Sequence, residues 1–222
     1  MYTLTERVLH KIEEKTRFLY ASKMRNMLNN TDFTIISNNC WGGVVSEAYG
    51  LRKNSPTVGA YFFAEDYLRF VKNPEYYISL EIKMISANKA RHREWIYRYG
   101  NHTCPVGVLD NIEIVFVHYK NPAEAYEKWM RRKERVNWNN LIFKFSNMNH
   151  CRKELLQEFD ALDLPGKKIM FVNRPSEKYK YAVYYPGFEN EKEIRNDSFY
   201  WNRYFDVTAF INGEGIRRKN IR

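Results

Sequence analysis

The sequence predicts an α/β protein with a three-layer α/β/α architecture and a largely parallel, mixed sheet. Short apolar runs alternate along the chain with segments of helical periodicity, which is the pattern of strands connected by helices. Several of these runs are almost continuously apolar, as residues 112–117 are, and strands buried on both faces have this composition. With 222 residues, of which 44% are hydrophobic, the chain can bury a full core without disulfides or metals.

An amphipathic helix is predicted at the N-terminus. Residues 3–6 have the Thr-x-x-Glu spacing of a capping box, and Leu4, Val8, Ile12 and Leu19 follow near helical spacing. We expect this helix, within residues 1–31, to pack on the edge of one α/β domain at 32–212, followed by a basic tail at 213–222. A basic amphipathic helix lying on a membrane is the alternative, and its acidic residues argue against it.

The first strand leads directly into an unusual loop. Residues 33–36 read as a buried strand, and they are followed by Ser37, two asparagines, Cys40, a tryptophan and two glycines. Paired glycines permit a positive φ or a close approach of the backbone to a ligand. A strand that ends in such a loop before a helix is the usual position of an α/β binding site.

The remaining elements follow from periodicity and turn residues. Helical patterns cover residues 44–49, 64–71, 122–136 and 152–162. Strand patterns cover residues 77–85, 112–117, 141–145, 169–172 and 181–185. The helix at 122–136 is the clearest, because it is entered through Asn121-Pro122.

Polar residues follow four of the predicted strands. They are Ser37 to Cys40, His118-Tyr119, Ser146-Asn147 and Asn173-Arg174. In a parallel sheet these strand ends share one edge, so we expect a polar cleft there. Turn formation alone accounts for the asparagines and serines, but less well for Cys40 and His118.

Three residues are candidate catalytic groups. Cys40 is a candidate nucleophile at the start of a helix and His118 its base, although a cysteine beside a buried strand is often only a small core residue. Asp66 is a candidate general base, and Glu65-Asp66 equally fits a helix start.

Candidate substrate-binding residues surround these groups. Arginine suits bidentate recognition of phosphate or carboxylate, tryptophan stacks on sugars and bases, and glycine amides hold anions. The set is Asn38, Asn39, Trp41, Gly42, Gly43, Ser55, Thr57, Trp129, Arg132, Arg135 and Asn137. A core role for the tryptophans and a solvated face for the arginines are the competing interpretations.

Charge and composition limit the partners. The net charge is +10, which favours phosphorylated small molecules, anionic lipid or nucleic acid. No helix-turn-helix or RNP-like motif is visible, so no specific nucleic acid is predicted. No metal-ligand spacing, Walker motif or GxGxxG occurs, and no cofactor is predicted. Three widely spaced cysteines and no apolar run of ~20 residues favour a cytoplasmic protein.

Several motifs resemble the bacterial family called domain of unknown function 1919, whose members are often labelled exopolysaccharide or capsular polysaccharide biosynthesis proteins. The matching segments are 36–43, 55–57, 65–67, 105–108, 118–119 and 129–141. The resemblance extends from about Asp32 past Phe171. It implies a three-layer α/β/α fold and an association with loci for cell-surface glycans, and it supplies no catalytic residues.

These observations predict a transferase of bacterial exopolysaccharide biosynthesis, either a glycosyltransferase or an acyltransferase. Its partners would be a phosphorylated or nucleotide-linked donor and a glycan acceptor, with peripheral membrane contact left open. In the acyl version Cys40 or a bound hydroxyl attacks, and amides at Gly42-Gly43 hold the oxyanion. In the glycosyl version Glu65 or Asp66 is the base and arginines stabilise the leaving phosphate. The alternative is a non-catalytic sugar- or nucleotide-binding module of the same pathway.

Overall fold

A computed structural model describes residues 4–219 and shows an α/β fold built on two sheets. The strands are β1 (Thr34–Ser37), β2 (Ala60–Phe62), β3 (Lys83–Ser86), β4 (Pro105–Leu109), β5 (Ile112–Phe116), β6 (Leu141–Ser146), β7 (Gly166–Val172) and β8 (Ala182–Tyr184). The helices are α1 (Leu4–Arg25), α2 (Trp41–Ala48), α3 (Ala64–Lys72), α4 (Pro74–Ser79), α5 (Arg93–Arg98), α6 (Pro122–Lys133), α7 (Lys153–Ala161) and α8 (Val207–Ile211). A 3₁₀ turn covers Ala87–Lys89.

The first sheet is parallel, in the order β1-β6-β7-β8. Thr34 pairs with Leu141, and Leu141 pairs with Gly166. Apolar side chains cover both faces of this sheet. On one face they pack against α3, α6, α7 and the second sheet, and on the other against α2 and α8. The α/β class predicted from the alternating pattern is therefore confirmed.

The second sheet is antiparallel, in the order β2-β5-β4-β3. The sequence indicated one largely parallel sheet, and the structure instead divides the strands between two. β5, predicted as a central strand, does lie inside a sheet, between β2 and β4. His118 therefore follows a strand of the antiparallel sheet, and it does not share the strand-end edge of β1, β6 and β7.

Residues 77–85 were predicted as one strand, and this is wrong for their first part. Helix α4 extends to Ser79, and only Lys83–Ser86 is a strand. Asn73 caps α4 by accepting a hydrogen bond from the Tyr76 backbone amide at 3.3 Å, and Pro74 occupies the first turn. Asn-Pro ends one helix here and also starts the next.

Helix α1 and the described part of the basic tail are both attached to the fold. Helix α1 packs on α2, and the Arg25 side chain donates to the Gly50 carbonyl oxygen at 3.3 Å. The capping box expected at residues 3–6 involves Thr3 and the Glu6 side chain, which lie outside the described part of the chain. In the basic tail, Arg218 pairs with Phe205 in a β-bridge and donates to the Ala182 carbonyl oxygen.

Candidate functional site

Polar side chains at the carboxyl ends of β1, β6 and β7 hold the sheet and the following segment together. Asn38 exchanges two hydrogen bonds with the Ser146 backbone, both 3.1 Å long. Asn147 donates to the Asn173 side chain at 2.6 Å, and Asn173 donates to the Glu191 carbonyl oxygen at 2.8 Å. The strand-end asparagines predicted to line a cleft thus join neighbouring strands and anchor the irregular segment at residues 186–206.

A fully buried ion pair lies at this edge, between Lys144 of β6 and Asp197. Lys144 Nζ also donates to Asn39 Oδ1 at 2.8 Å, and Asn39 Nδ2 donates to Asp197 at 2.9 Å. Ser146 Oγ donates to the same carboxylate. We call Asn39, Lys144, Ser146 and Asp197 the buried polar cluster.

The cluster is satisfied internally and depends on close pairing. Burial lowers the pKa of the Lys144 ammonium, and the neighbouring Asp197 carboxylate opposes this shift. The ammonium also lies 5.0 Å from the Phe171 ring centroid, within range of a cation–π contact. A buried charge without such partners would be strongly unfavourable.

Cys40 lies next to this cluster and its thiol is protonated at neutral pH. Burial raises the pKa of Cys40 to about 12, and the Asp197 charge adds to the effect, whereas Lys144 lowers it. A reactive cysteine needs the opposite environment, because the thiolate is the nucleophile. This environment favours Cys40 as a packing or hydrogen-bonding group over its use as a nucleophile.

A large open cavity of about 1140 Å³ begins at the strand ends. Its floor includes Asn39, Cys40 and Asp197, and it extends to α5 and the segment at 191–198. Its lining combines aromatic and imidazole rings with charged side chains. The rings are those of Tyr61, Phe63, His92, Trp95, Tyr99 and His150, and the charged side chains are those of Glu65, Arg152, Glu193 and Arg195.

The loop after β6 adopts a strained conformation inside this cavity. Asn149 and His150 have φ values of 57° and 67°, an unfavourable region for residues with a Cβ. Glu193 holds the loop by accepting from the His150 amide at 2.7 Å. Burial raises the pKa of Glu193, and the amide bonds oppose the shift. A carboxyl group with a raised pKa suits proton transfer near neutral pH.

A second, smaller cavity of about 330 Å³ lies on the other side of Cys40. It brings together Cys40, Gly43, His118 and Arg132, four residues that the sequence analysis selected from distant parts of the chain. Its other cationic residues are Arg17, Lys53 and Lys128, and its acidic residues are Glu14 and Glu47.

Two cations of the small cavity, Arg17 and Arg132, are buried, and Arg132 is the one whose hydrogen bonds go to neutral groups. Its Nη1 donates to the Val58 carbonyl oxygen at 3.0 Å and to the Tyr119 hydroxyl at 2.6 Å. Both acceptors are neutral, whereas Arg17 pairs with Glu13 and Lys53 with Glu47. A guanidinium held by neutral groups keeps its charge available for an anion.

The two cavities meet at Cys40 and Ser198, which line both of them. Ser198 immediately follows Asp197 of the buried polar cluster, and Ser198 Oγ lies 3.4 Å from Asp197 Oδ1. The aromatic and the cationic cavity are therefore neighbours that share these two residues at the carboxyl edge of β1.

Asp66 and the two tryptophans lie apart from the cavities' polar surfaces. Asp66 is fully buried and binds Arg91, Arg69 and the Glu113 amide. Burial would raise its pKa, but the His92 hydrogen bond and the Arg91 charge together lower it. The geometry makes Asp66 an ion-pair centre of α3. Its neighbour Glu65 is the one that lines the large cavity.

Trp41 and Trp129 are fully buried in the two cores, in the positions expected of packing residues. Trp41 Nε1 donates to the Trp201 carbonyl oxygen at 3.0 Å. Gly42 and Gly43 lie within α2, and the positive φ considered in the sequence analysis is found at neither. A Cβ on Gly42 would lie 2.9 Å from Ile35 Cγ2, so Gly42 is required for the close packing of α2 on β1.

The other predicted binding residues lie elsewhere. The hydroxyls of Ser55 and Thr57 pair with each other at 2.9 Å in the buried loop before β2. Asn137 donates to the Asp32 carboxylate at 3.0 Å, at the amino end of β1. Arg135 lies past the end of α6, where desolvation and the Arg52 charge lower its pKa.

The comparisons with known proteins agree with the resemblance noted in the sequence. The family described as "Domain of unknown function (DUF1919)" matches residues 11–212. The chain belongs to this family. The match begins inside α1, earlier than the Asp32 at which the motif resemblance starts. A Haemophilus influenzae protein named "Uncharacterized protein" is 28% identical over 211 residues, which is 93% of this chain and 95% of that protein.

Some of the residues that build this DUF1919 site were not selected from the sequence. Lys144 stands within the apolar run Leu-Ile-Phe-Lys-Phe-Ser, and a lysine in a buried strand was the available signal. Asp197 lies in a segment without periodicity, and its partner could not be inferred from spacing. In residues 4–219, no group of three histidine, cysteine or acidic side chains is arranged to hold a metal ion.

Proposed function

We propose that this DUF1919 protein is a glycosyltransferase that uses a phosphate-linked sugar donor and a glycan acceptor. The observation that carries the proposal is the junction of a cationic and an aromatic cavity at Cys40 and Ser198. A transferase needs two adjoining sites so that the reacting atoms of donor and acceptor meet.

The small cavity suits the donor phosphate. Arg132 is buried with neutral partners, and His118 and Lys128 lie in the same lining. Charge-assisted hydrogen bonds from arginine to phosphate are strong and directional. In this proposal Arg132 binds the phosphate in the ground state and stabilises the negative charge that grows as the phosphate departs.

The large cavity suits the sugars. Trp95 presents an indole that packs 3.8 Å from the His150 ring, and Phe63 and His92 stack at 4.0 Å. Aromatic rings together with nearby carboxylates and amides are typical of carbohydrate sites, because a sugar has apolar faces and a polar rim. The volume of about 1140 Å³ exceeds what one sugar ring needs, so an oligosaccharide acceptor is favoured.

The chemistry would proceed between the two cavities. An acceptor hydroxyl oxygen forms a bond to the anomeric carbon as the bond from that carbon to the donor phosphate breaks. The hydroxyl proton passes to a carboxylate, for which Glu193 is suited by its raised pKa. The electron pair of the broken bond stays on the phosphate beside Arg132. The protonated Cys40 thiol gives this route preference over a thioester route.

The assignment to exopolysaccharide biosynthesis rests on the labels of the family that the chain resembles. A cytoplasmic location agrees with this proposal, since Cys40, Cys104 and Cys151 are all free thiols. No helix within residues 4–219 has the length and apolar character needed to cross a bilayer.

The first experiment measures thermal stabilisation by nucleotide sugars, plain nucleotides, acyl-coenzyme A thioesters and inorganic phosphate. A ligand at a hundredfold excess over its Kd stabilises the native state by about 2.7 kcal/mol. We expect nucleotide sugars to stabilise the wild-type protein and to fail with Arg132→Gln. Arg131→Gln is the matched control, because Arg131 is the neighbouring α6 residue and forms an exposed pair with Glu127.

Three further measurements separate the outcomes. His118→Ala tests the same cavity with an exposed residue, in case Arg132→Gln fails to fold. Trp95→Ala should weaken the binding of the acceptor. Tyr97→Ala, at an exposed position on the same helix, should leave it unchanged. Release of free nucleotide is then measured with a mixture of oligosaccharide acceptors. Saturable donor binding without any turnover would favour the non-catalytic module, and stabilisation by acyl thioesters alone would contradict a sugar donor.

A further inference from the structure

The outer face of α1 exposes a row of apolar side chains to solvent. Leu4, Val8, Ile12 and Leu19 are between 49% and 79% exposed. Their spacing places them on one side of the helix. Soluble proteins seldom leave a contiguous apolar stripe uncovered, so this face requires an occupant.

The helix is held firmly from its opposite side. Met24 and Leu28 pack against the core cluster around Trp41, and the Arg17 side chain is buried. The His10 ring stacks on the Phe199 ring at 4.1 Å. The exposed stripe is therefore a fixed feature of the folded protein.

Charge on the two sides of α1 is unequal. Lys11, Lys15 and Lys23 are exposed. By helical spacing Lys11 and Lys23 border the apolar stripe, and Lys15 lies within it, between Ile12 and Leu19. Glu13 and Glu14 turn the other way, since Glu13 binds Arg17 at 2.7 Å and Glu14 lines the small cavity. These two of the acidic residues that argue in the sequence against a membrane helix thus lie off the exposed face.

We propose that α1 docks on an anionic lipid surface through this face, with Leu4, Val8, Ile12 and Leu19 inserted and the lysines at the headgroups. An apolar stripe bordered by lysines is the arrangement of interfacial helices, and anionic lipid supplies the complementary charge. A second copy of the chain fits less well. Pairing two such stripes would bring like-charged Lys15 side chains together at the centre of the interface. This proposal is independent of the proposed function.

The test is sedimentation of the full chain with vesicles. One set contains phosphatidylcholine alone, and the other contains equal amounts of phosphatidylcholine and phosphatidylglycerol. We expect binding to the anionic vesicles that weakens with added salt. The double variant Ile12→Glu with Leu19→Glu should lose it. Lys15→Glu should lower the partition coefficient about fivefold or more, since one lysine near such a surface contributes about a factor of five.

Two control variants test whether binding depends on the exposed face of α1. Tyr97→Glu adds a charge at an exposed aromatic position of α5, and Lys178→Glu reverses an exposed lysine far along the chain. Tyr97→Glu should bind the anionic vesicles as the wild type does. The partition coefficient should fall less for Lys178→Glu than for Lys15→Glu. Circular dichroism checks that each variant is folded. Equal binding of the wild type and the double variant would overturn the proposal. So would a wild-type dimer that the double variant breaks in the absence of any lipid binding.

Discussion

A single lysine in an apolar strand determines how the site is built. Lys144 is fully buried, and its ammonium requires a carboxylate. Asp197 supplies it from 53 residues further along the chain and also binds Asn39 and Ser146. The ion pair therefore fixes the irregular segment at residues 186–206 onto the sheet. It also fixes Ser198 at the junction of the two cavities.

Breaking this pair on one side should cost more than removing both charges. Lys144→Met alone leaves Asp197 buried without its cation, and we expect a loss of about 3–5 kcal/mol in the free energy of unfolding. Asp197→Asn alone leaves the ammonium unpaired, with a similar loss. The double variant should be less destabilised than either single variant, as measured by urea unfolding of the wild type and the three variants. Additive losses would mean that the two side chains do not interact energetically.

At the level of secondary structure, periodicity located most elements, and long-range pairing decided their arrangement. The strands β1, β5, β6 and β8 were predicted to within one residue of their observed bounds, because each is a mostly buried apolar run. For β7 only the apolar part was predicted, and the strand begins three residues earlier at Gly166. Periodicity did not reveal β2, with only three residues, or β4, which includes Gly107. It also could not tell which sheet β5 joins, and that choice moved His118 away from the predicted strand-end edge.

The sequence predicted the kind of side chains at the candidate site better than it predicted which residues line it. Cys40, His118 and Arg132 do line one cavity, since residue type and strand-end position both pointed there. Trp129 is core, because an amphipathic helix buries its largest apolar side chain whether or not a ligand is near. The wall formed by residues 191–198 has no periodic signal, and its position depends on tertiary hydrogen bonds such as that from Asn173.

Helix α3 depends on the Asp66 ion-pair centre for its attachment to β5. Asp66 accepts from the Glu113 amide at 3.1 Å and binds Arg91. We expect Asp66→Asn to lower the free energy of unfolding by about 2–3 kcal/mol at neutral pH, through the loss of charge-assisted hydrogen bonds. Glu65→Gln, whose partner Arg152 is exposed, should change it by no more than about 0.5 kcal/mol.

The loss of stability caused by Asp66→Asn should also depend on pH, in a predictable direction. Because the folded-state pKa of Asp66 is lowered from 3.8, its contribution is present above pH 3.8 and is lost as the pH falls through the folded-state value. The difference between wild type and Asp66→Asn should therefore shrink at acid pH. Chemical denaturation of both proteins at several acid pH values measures this difference in the free energy of unfolding. A difference that stays constant with pH would show that the ionised carboxylate contributes nothing.

Across the whole molecule, the two sheets create the two cavities. The parallel sheet contributes the floor at Asn39 and Cys40, and the antiparallel sheet contributes Tyr61, Val117 and His118 around it. Helix α1 closes the small cavity from the third side with His10, while its outer face carries the proposed membrane contact. If both proposals hold, the donor cavity lies about one helix diameter, roughly 10 Å, from the lipid surface.

The junction gives a way to separate binding from transfer. Ser198 is half-buried where the two cavities meet, so Ser198→Leu should place a larger side chain between donor and acceptor without removing either cavity's wall. We expect donor and acceptor to bind with unchanged Kd in calorimetric titrations, while turnover falls about a hundredfold, because a displacement of about 1 Å has that effect on reacting groups. Ser176→Leu, in the loop after β7, is the control for the substitution itself. If Ser198→Leu weakens the binding of either ligand and leaves kcat intact, the reacting groups do not meet at this junction.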